Sequence, residues 1–122
     1  MEKRVLVIED EPNISEALRF ILTRNGWRVD VSADGHAAMG AMRDDPPDLL
    51  ILDLMLPGLS GFDILRSLRA EEGTRNLPVL MLTAKGQAAD RCEAERLGVT
   101  RFMTKPFANA EVIEAVRELA GP

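Results

Sequence analysis

The sequence is poor in the residues that build covalent staples and soft-metal centres. Among its 122 residues it has one cysteine, one histidine, one tryptophan and no tyrosine. With Cys92 alone, no disulfide forms within the chain, and a reducing compartment such as the bacterial cytosol is its simplest home. No apolar run approaches the roughly 18 residues of a membrane span. The stretch Val5-Leu6-Val7-Ile8 follows Lys3 and Arg4 but stops in Glu9-Asp10-Glu11, which a secretory leader would not do. Positive charge is also scarce: 15 basic residues stand against 20 acidic ones, for a net charge of −5. Nucleic acid and anionic membranes both select clustered positive charge, so neither is expected as a direct partner. Repeats, low-complexity tracts and linker-like stretches are missing too, and a single domain over residues 1–122 is expected.

What is present is an ordinary globular composition, 46% apolar and 29% charged, enough for one core without staples. Val5–Ile8, Leu49–Leu52 and Val79–Leu82 are short apolar runs with no polar face, the pattern of strands buried on both sides. Trp27–Val31 alternates, as an edge strand does, and Arg101–Thr104 is short and mixed. Helical stripes lie between them. Ile14, Leu18, Ile21 and Leu22 share one face and stop at Gly26. Asp34-Gly35 opens a helix through Ala38, Ala41 and Met42 that closes at Pro46-Pro47. Ile64, Leu65 and Leu68 form another stripe, and Val112, Ile113, Val116 and Leu119 form the last. The segment Gln87–Leu97 has little to bury beyond Ala88, Ala89, Cys92 and Leu97, so weak anchoring and easy movement are expected there.

Strand and helix alternate five times. That pattern predicts an α/β fold, a doubly wound (βα)5 unit of flavodoxin-like type with a five-stranded parallel sheet in the order 2-1-3-4-5. Ligands of such sheets sit outside the carboxyl ends of the strands. At those ends the sequence places Glu9 and Asp10, then Asp53, then Thr83, then Lys105. At about 4 Å and an effective dielectric of 20, two like charges cost about 4 kcal/mol. A raised pKa, a lysine or a metal must offset that. An all-oxygen set suits Mg²⁺, which keeps waters and accepts phosphate oxygens as ligands. A carboxylate nucleophile, a dication, a lysine and a hydroxyl are the components of phosphoryl transfer.

These residues stand in motifs that resemble the receiver domain of two-component response regulators over essentially the whole chain. The matching pieces are Val7-Ile8-Glu9-Asp10-Glu11, Asp34-Gly35, the run from Asp48 through Asp53 to Pro57-Gly58-Leu59-Ser60-Gly61, Leu82-Thr83-Ala84, and Lys105-Pro106-Phe107. The resemblance implies that Asp53 is the phosphoacceptor. It also implies that Glu9, Asp10, Asp53 and the backbone carbonyl of Met55 hold Mg²⁺, with Asp10 the more direct ligand of the acid pair. Thr83 would bind a phosphoryl oxygen, and Lys105 would pair with Asp53 and later with the phosphoryl group. Phe102 would be the aromatic that turns inward when Thr83 moves, here without the hydroxyl of the tyrosine often found in that role. A cis Lys105–Pro106 bond is implied as well.

The same resemblance implies a histidine kinase or histidine phosphotransfer protein as donor. It implies an unidentified downstream protein partner that docks on the fourth helix, fifth strand and fifth helix. No enzymatic activity is expected beyond the protein's own phosphorylation and dephosphorylation. A weak dimer through that same face is an option. Arg91 and Glu111 fit it, whereas Thr100-Arg101 replaces the acidic residues usual before the switch aromatic. The chain ends at Pro122 soon after the last helix, which suggests a stand-alone receiver. The alternative is a receiver cut from a larger DNA-binding transcriptional regulator.

Plainer readings stand beside these. Asp53 could end a strand in a turn, Glu9-Asp10-Glu11 could cap the first helix, Thr83 could be a strand residue, Lys105 a surface lysine and Phe102 plain core. His36 reads as structural or solvated and far from the carboxyl ends, not as a phosphohistidine, and Cys92 as a small buried residue. Two further classes compete. An aspartate-dependent phosphatase of haloacid-dehalogenase type wants a second aspartate where Met55 stands. A flavin binder wants a glycine- and hydroxyl-rich loop where Glu9-Asp10-Glu11-Pro12 stands.

Overall fold

The computed structural model describes residues 3–84 and 88–121. Five strands alternate with five helices: β1 (Arg4–Ile8), α1 (Pro12–Arg24), β2 (Arg28–Ser32), α2 (Gly35–Asp44), β3 (Leu49–Asp53), α3 (Gly61–Ala70), β4 (Val79–Thr83), α4 (Ala88–Arg96), β5 (Arg101–Thr104) and α5 (Asn109–Ala120). All neighbouring strands pair in parallel, in the order β2-β1-β3-β4-β5. The fold is the flavodoxin-like α/β unit that the alternation predicts.

The period of two along each strand divides the core into two layers. Val5, Val7, Leu49, Ile51, Leu80 and Leu82 face α1 and α5, where Leu18, Leu22, Val112 and Val116 meet them. Ile8, Leu50, Leu52, Val79 and Met81 face the other way, against Ala38 and Met42 of α2, Ile64, Leu65 and Leu68 of α3, and Ala94 of α4. Every residue of β3 and β4 is buried, which is why those strands carry no polar alternation until Asp53 and Thr83 at their ends.

Four local expectations need correction. In α4, Ala88, Ala89 and Cys92 are exposed and Ala94 is the buried residue. The helix turns a different edge inward because its small side chains give it almost no apolar stripe to set its phase. Gln87 lies outside the described residues. In α2, Met39 is buried in place of Ala41. Trp27 is buried but precedes β2, because Gly26 at φ 95° turns the chain there. His36 is exposed and opens α2 directly after β2, so it lies toward the carboxyl edge of the sheet and not far from it.

Candidate functional site

Register brings the acidic residues together. Ile8 pairs with Leu52, so the next residues along, Glu9 and Asp53, come side by side at the ends of β1 and β3. The backbone N–H of Glu9 donates to the Ser32 carbonyl at 3.0 Å, and that of Leu54 donates to Leu82 at 3.2 Å. These bonds carry the sheet pattern one residue past the strands and fix where both side chains start. Glu9 and Asp53 are buried, at 3% and 4% exposure, while Asp10 is open to solvent. Carboxylate oxygens of Glu9, Asp10 and Asp53 all lie within 4.8 Å of one another.

Two backbone devices hold the loop after β3. The Met55 N–H donates to Asp53 Oδ1 at 3.3 Å, and the Gly61 N–H donates to the Leu54 carbonyl at 2.9 Å. Gly61 opens α3 so close to β3 that a Cβ there would stand 2.6 Å from the Asp53 carbonyl oxygen and 2.8 Å from Leu54 Cα. Only glycine fits that approach. Ser60 accepts N–H bonds from Phe62 and Asp63, which sets the first turn of α3. The Met55 side chain projects into solvent at 56% exposure.

Lys105 enters from β5. Its N–H donates to the Thr83 carbonyl at 2.8 Å, and the Lys105–Pro106 bond that follows is cis, as the resemblance implies. Its ammonium donates to Glu9 Oε2 at 2.8 Å and stands 3.6 Å from Asp53 Oδ2 and 3.9 Å from Glu11 Oε1. The expected partner, Asp53, is therefore the second nearest, and Glu9 holds the hydrogen bond. The other oxygen of Glu9 accepts the Glu11 N–H at 3.1 Å, so Glu9 is engaged at both ends. This is also what the acidic trio does in place of capping: Glu11 sits at the N-cap of α1 without a side-chain cap bond, and Pro12 follows it.

Burial pushes the Asp53 carboxyl up from the ordinary 3.8 to about 6. The nearby Glu9 charge, and a hydrogen bond shared with that carboxyl, push in the same direction. Lys105 and the Met55 N–H pull down but do not prevail. For Lys105, burial disfavours the ammonium. The hydrogen bond to Glu9 and the fields of Asp53, Glu9 and Glu11 outweigh it and hold the pKa above its ordinary value. Among the described residues, one lysine faces four carboxylates, counting Glu11, so positive charge is short there. The donors are hard oxygens, those of Glu9 and Asp53 buried and that of Asp10 open to solvent, so the residues present fit a small hard dication such as Mg²⁺ that keeps waters.

Thr83 is fully buried at the end of β4, opposite Thr104. Met81, two residues earlier on the same face, pairs with Phe102. Phe102 is half-buried against the layer that contains Met81 and Ala94. Every expected site residue thus falls at the carboxyl edge or on the strand face leading to it. A groove of about 390 Å³ between β2 and α2, lined among others by Arg4, Leu6 and Met42, starts at the opposite end of β1 and contains none of them.

Comparison with known sequences and structures gives the family. The profile of the response regulator receiver domain matches residues 5–117. The chain belongs to that family. Among relatives, this receiver domain is 38% identical over 117 residues to the phosphate regulon transcriptional regulatory protein PhoB of Escherichia coli strain K12, covering 96% of the chain and 51% of PhoB. It is 42% identical over 115 residues to the probable transcriptional regulatory protein TcrX of Mycobacterium tuberculosis, covering 94% of the chain and 48% of TcrX. The receiver domain therefore spans about half the length of the curated relatives it matches. Among solved structures, it matches the receiver domain of the sensor histidine kinase PA1611 from Pseudomonas aeruginosa PAO1 at a TM-score of 0.90 and 30% identity, with 100% of both chains covered. That structure has a magnesium ion coordinated in its active-site cleft. Among the described residues, no helix is long and apolar enough to cross a membrane.

Sequence reasoning missed two contacts. One is the Glu9–Lys105 hydrogen bond, since spacing alone does not rank two carboxylates as partners for one lysine. The other is Arg91, whose guanidinium lies over the Phe102 ring, 5.1 Å from its centroid. Arg91 stands one turn before the buried Ala94; the sequence singles it out only as fitting the dimer face, and the alternating charges around it point to no ring contact.

Proposed function

We propose that this receiver domain accepts a phosphoryl group onto Asp53 from the phosphohistidine of a histidine kinase or histidine phosphotransfer protein. In that step an Asp53 carboxylate oxygen attacks phosphorus. A P–O bond forms as the P–N bond breaks, the electron pair returns to the imidazole, and an acyl phosphate results. Glu9, Asp10 and Asp53 would hold Mg²⁺, with the Met55 carbonyl as a further ligand. The ion would neutralise charge on the phosphoryl oxygens. Lys105 supplies a second cation at the same oxygens, and Thr83 supplies a hydroxyl at the end of the adjacent strand.

The observation that carries this reading is the convergence of Asp53, buried beside Glu9 and within reach of Asp10, with the Lys105 ammonium 3.6 Å away. A purely structural carboxylate gains nothing from such a place, whereas a phosphoacceptor needs its neighbours. Phosphorylation then biases a two-state equilibrium: Thr83 moves toward the phosphoryl group, Phe102 turns into the space released, and the α4–β5–α5 surface changes for a protein partner. The protein catalyses only its own phosphorylation and dephosphorylation, in the cytoplasm, and makes no nucleic-acid contact of its own through residues 1–122. Family membership favours neither the phosphatase nor the flavin-binding reading.

The test is labelling with a small-molecule phosphodonor and Mg²⁺. The unmodified chain is expected to label, and Asp53→Asn or excess chelator is expected to abolish it. Normal labelling of Asp53→Asn would reject the assignment. Phosphotransfer profiling against the histidine kinases of the source organism would then identify the donor.

A further inference from the structure

We propose that Arg91 is a positioning residue of the switch, a latch that holds Phe102 in its half-buried position under the guanidinium, taken as the outward state, until phosphorylation breaks the stack. The proposal rests on the reading of Asp53 and Thr83 above. Arg91 lies in the middle of α4, and its guanidinium covers the ring of Phe102 at 5.1 Å. The ring thus has an apolar side against the layer of Met81 and Ala94 and a cation on it from α4. Arg91 has no competing engagement: among the described residues, no carboxylate forms an ion pair with it. Its neighbours differ, since Arg96 pairs with Glu93 and Arg101 pairs with Glu118.

Two features make this one contact matter. The chain has no tyrosine, so the switch ring carries no hydroxyl and cannot be fixed by a hydrogen bond in either position. Its place is set by packing and by the cation. In addition, α4 has only Ala94 buried, so the stack is a large part of what ties its outer edge to β5. Phe102 also lies on the strand face that leads to Thr83, because Met81 pairs with Phe102 and Thr83 with Thr104. Space opened by Thr83 is therefore on the side to which the ring can turn. Turning costs the cation–π contact, and it frees the Arg91 charge to face a partner.

A contact made only in the outward state shifts the equilibrium by its own strength, about two- to fivefold for a half-exposed cation–π pair. The experiment is titration with beryllofluoride and Mg²⁺ of protein labelled with fluorophenylalanine, read by fluorine NMR, with the Phe102 signal assigned by Phe102→Leu. Arg91→Ala is expected to tighten apparent beryllofluoride affinity about two- to fivefold. It is also expected to move the ligand-free Phe102 signal part of the way toward its bound position. Arg91→Lys should fall between the two. Alanine is the better helix former, so α4 itself is preserved. In the Phe102→Leu background, Arg91→Ala should change nothing. The latch is overturned if Arg91→Ala leaves both the affinity and the ring signal at wild-type values, or if its effect persists without the ring. If the wild type fails to bind beryllofluoride, the phosphoacceptor reading falls instead, and a ligand-free Phe102 signal that Arg91→Ala leaves at its wild-type value still overturns the latch, whereas a shifted one supports the stack.

Discussion

Helices α3 and α4 are consecutive, nearly equal in length and laid on the same face of the sheet, yet they are held in opposite ways. α3 buries Gly61, Ile64, Leu65 and Leu68, starts on a Ser60 cap, and abuts β3 at a point where only glycine fits. α4 buries Ala94 alone. Its C-terminal end is better tied than its middle: Arg69 from α3 donates to the Gly98 carbonyl at 2.9 Å, and the Thr100 hydroxyl accepts the Val79 N–H at 2.9 Å. The difference divides labour. On the reading proposed above, the helix next to Asp53 is the fixed one because phosphoryl transfer depends on positioning. The helix next to Phe102 buries little, as the proposed change of that surface requires.

The comparison is broken most severely by cutting into α3. Leu65→Ala is expected to cost about 2–5 kcal/mol, as for other fully buried leucines, measured by urea denaturation. A loss under about 1 kcal/mol would mean that α3 is no better anchored than α4. Next in size is the charge that the fixed side tolerates. Asp53→Asn is expected to stabilise the metal-free protein by about 1–3 kcal/mol at neutral pH. The sign follows from the raised carboxyl. Between about 6 and the ordinary 3.8, the folded state holds this proton more tightly than the unfolded chain. Stability from this group therefore falls as pH rises through that window, and the advantage of asparagine shrinks as pH drops toward its lower end. A stability difference that stays flat from neutral pH down to acid would contradict the assignment.

A methyl group at the α3 entrance sharpens the contrast further. Gly61→Ala is expected to cost about 1–3 kcal/mol and to slow phosphorylation, because the added carbon meets the backbone of Asp53 and Leu54, which cannot swing away. The smallest effect belongs to α4. Cys92→Ala, at an exposed position, should change stability by less than about 0.5 kcal/mol. In amide hydrogen exchange, α4 should nevertheless open well before α3.

Much of this was legible in the residues. The apolar runs at Leu49–Leu52 and Val79–Leu82 announce strands buried on both sides, and the topology they force brings Glu9, Asp10 and Asp53 to one edge. Lys105 follows from its place after the last strand. The looseness of α4 was also legible as a deficit of apolar residues, but its orientation was not. With Ala88, Ala89, Cys92 and Ala94 all small, the sequence has no stripe to phase the helix, and it is tertiary contact that turns Ala94 inward. The preference of Lys105 for Glu9 over Asp53 depends on differences of less than an ångström between side-chain positions. The stack of Arg91 on Phe102 joins two elements whose relative placement no local pattern encodes.

The central claim is that the buried carboxylate beside Glu9 and Lys105 receives the phosphoryl group. The most direct test is to phosphorylate the protein with a small-molecule donor and Mg²⁺, reduce the acyl phosphate with borohydride, and locate the product by peptide mass spectrometry. Homoserine at position 53, formed only when Mg²⁺ is supplied, is the expected result. Reduction at another aspartate with residue 53 unmodified would contradict the account.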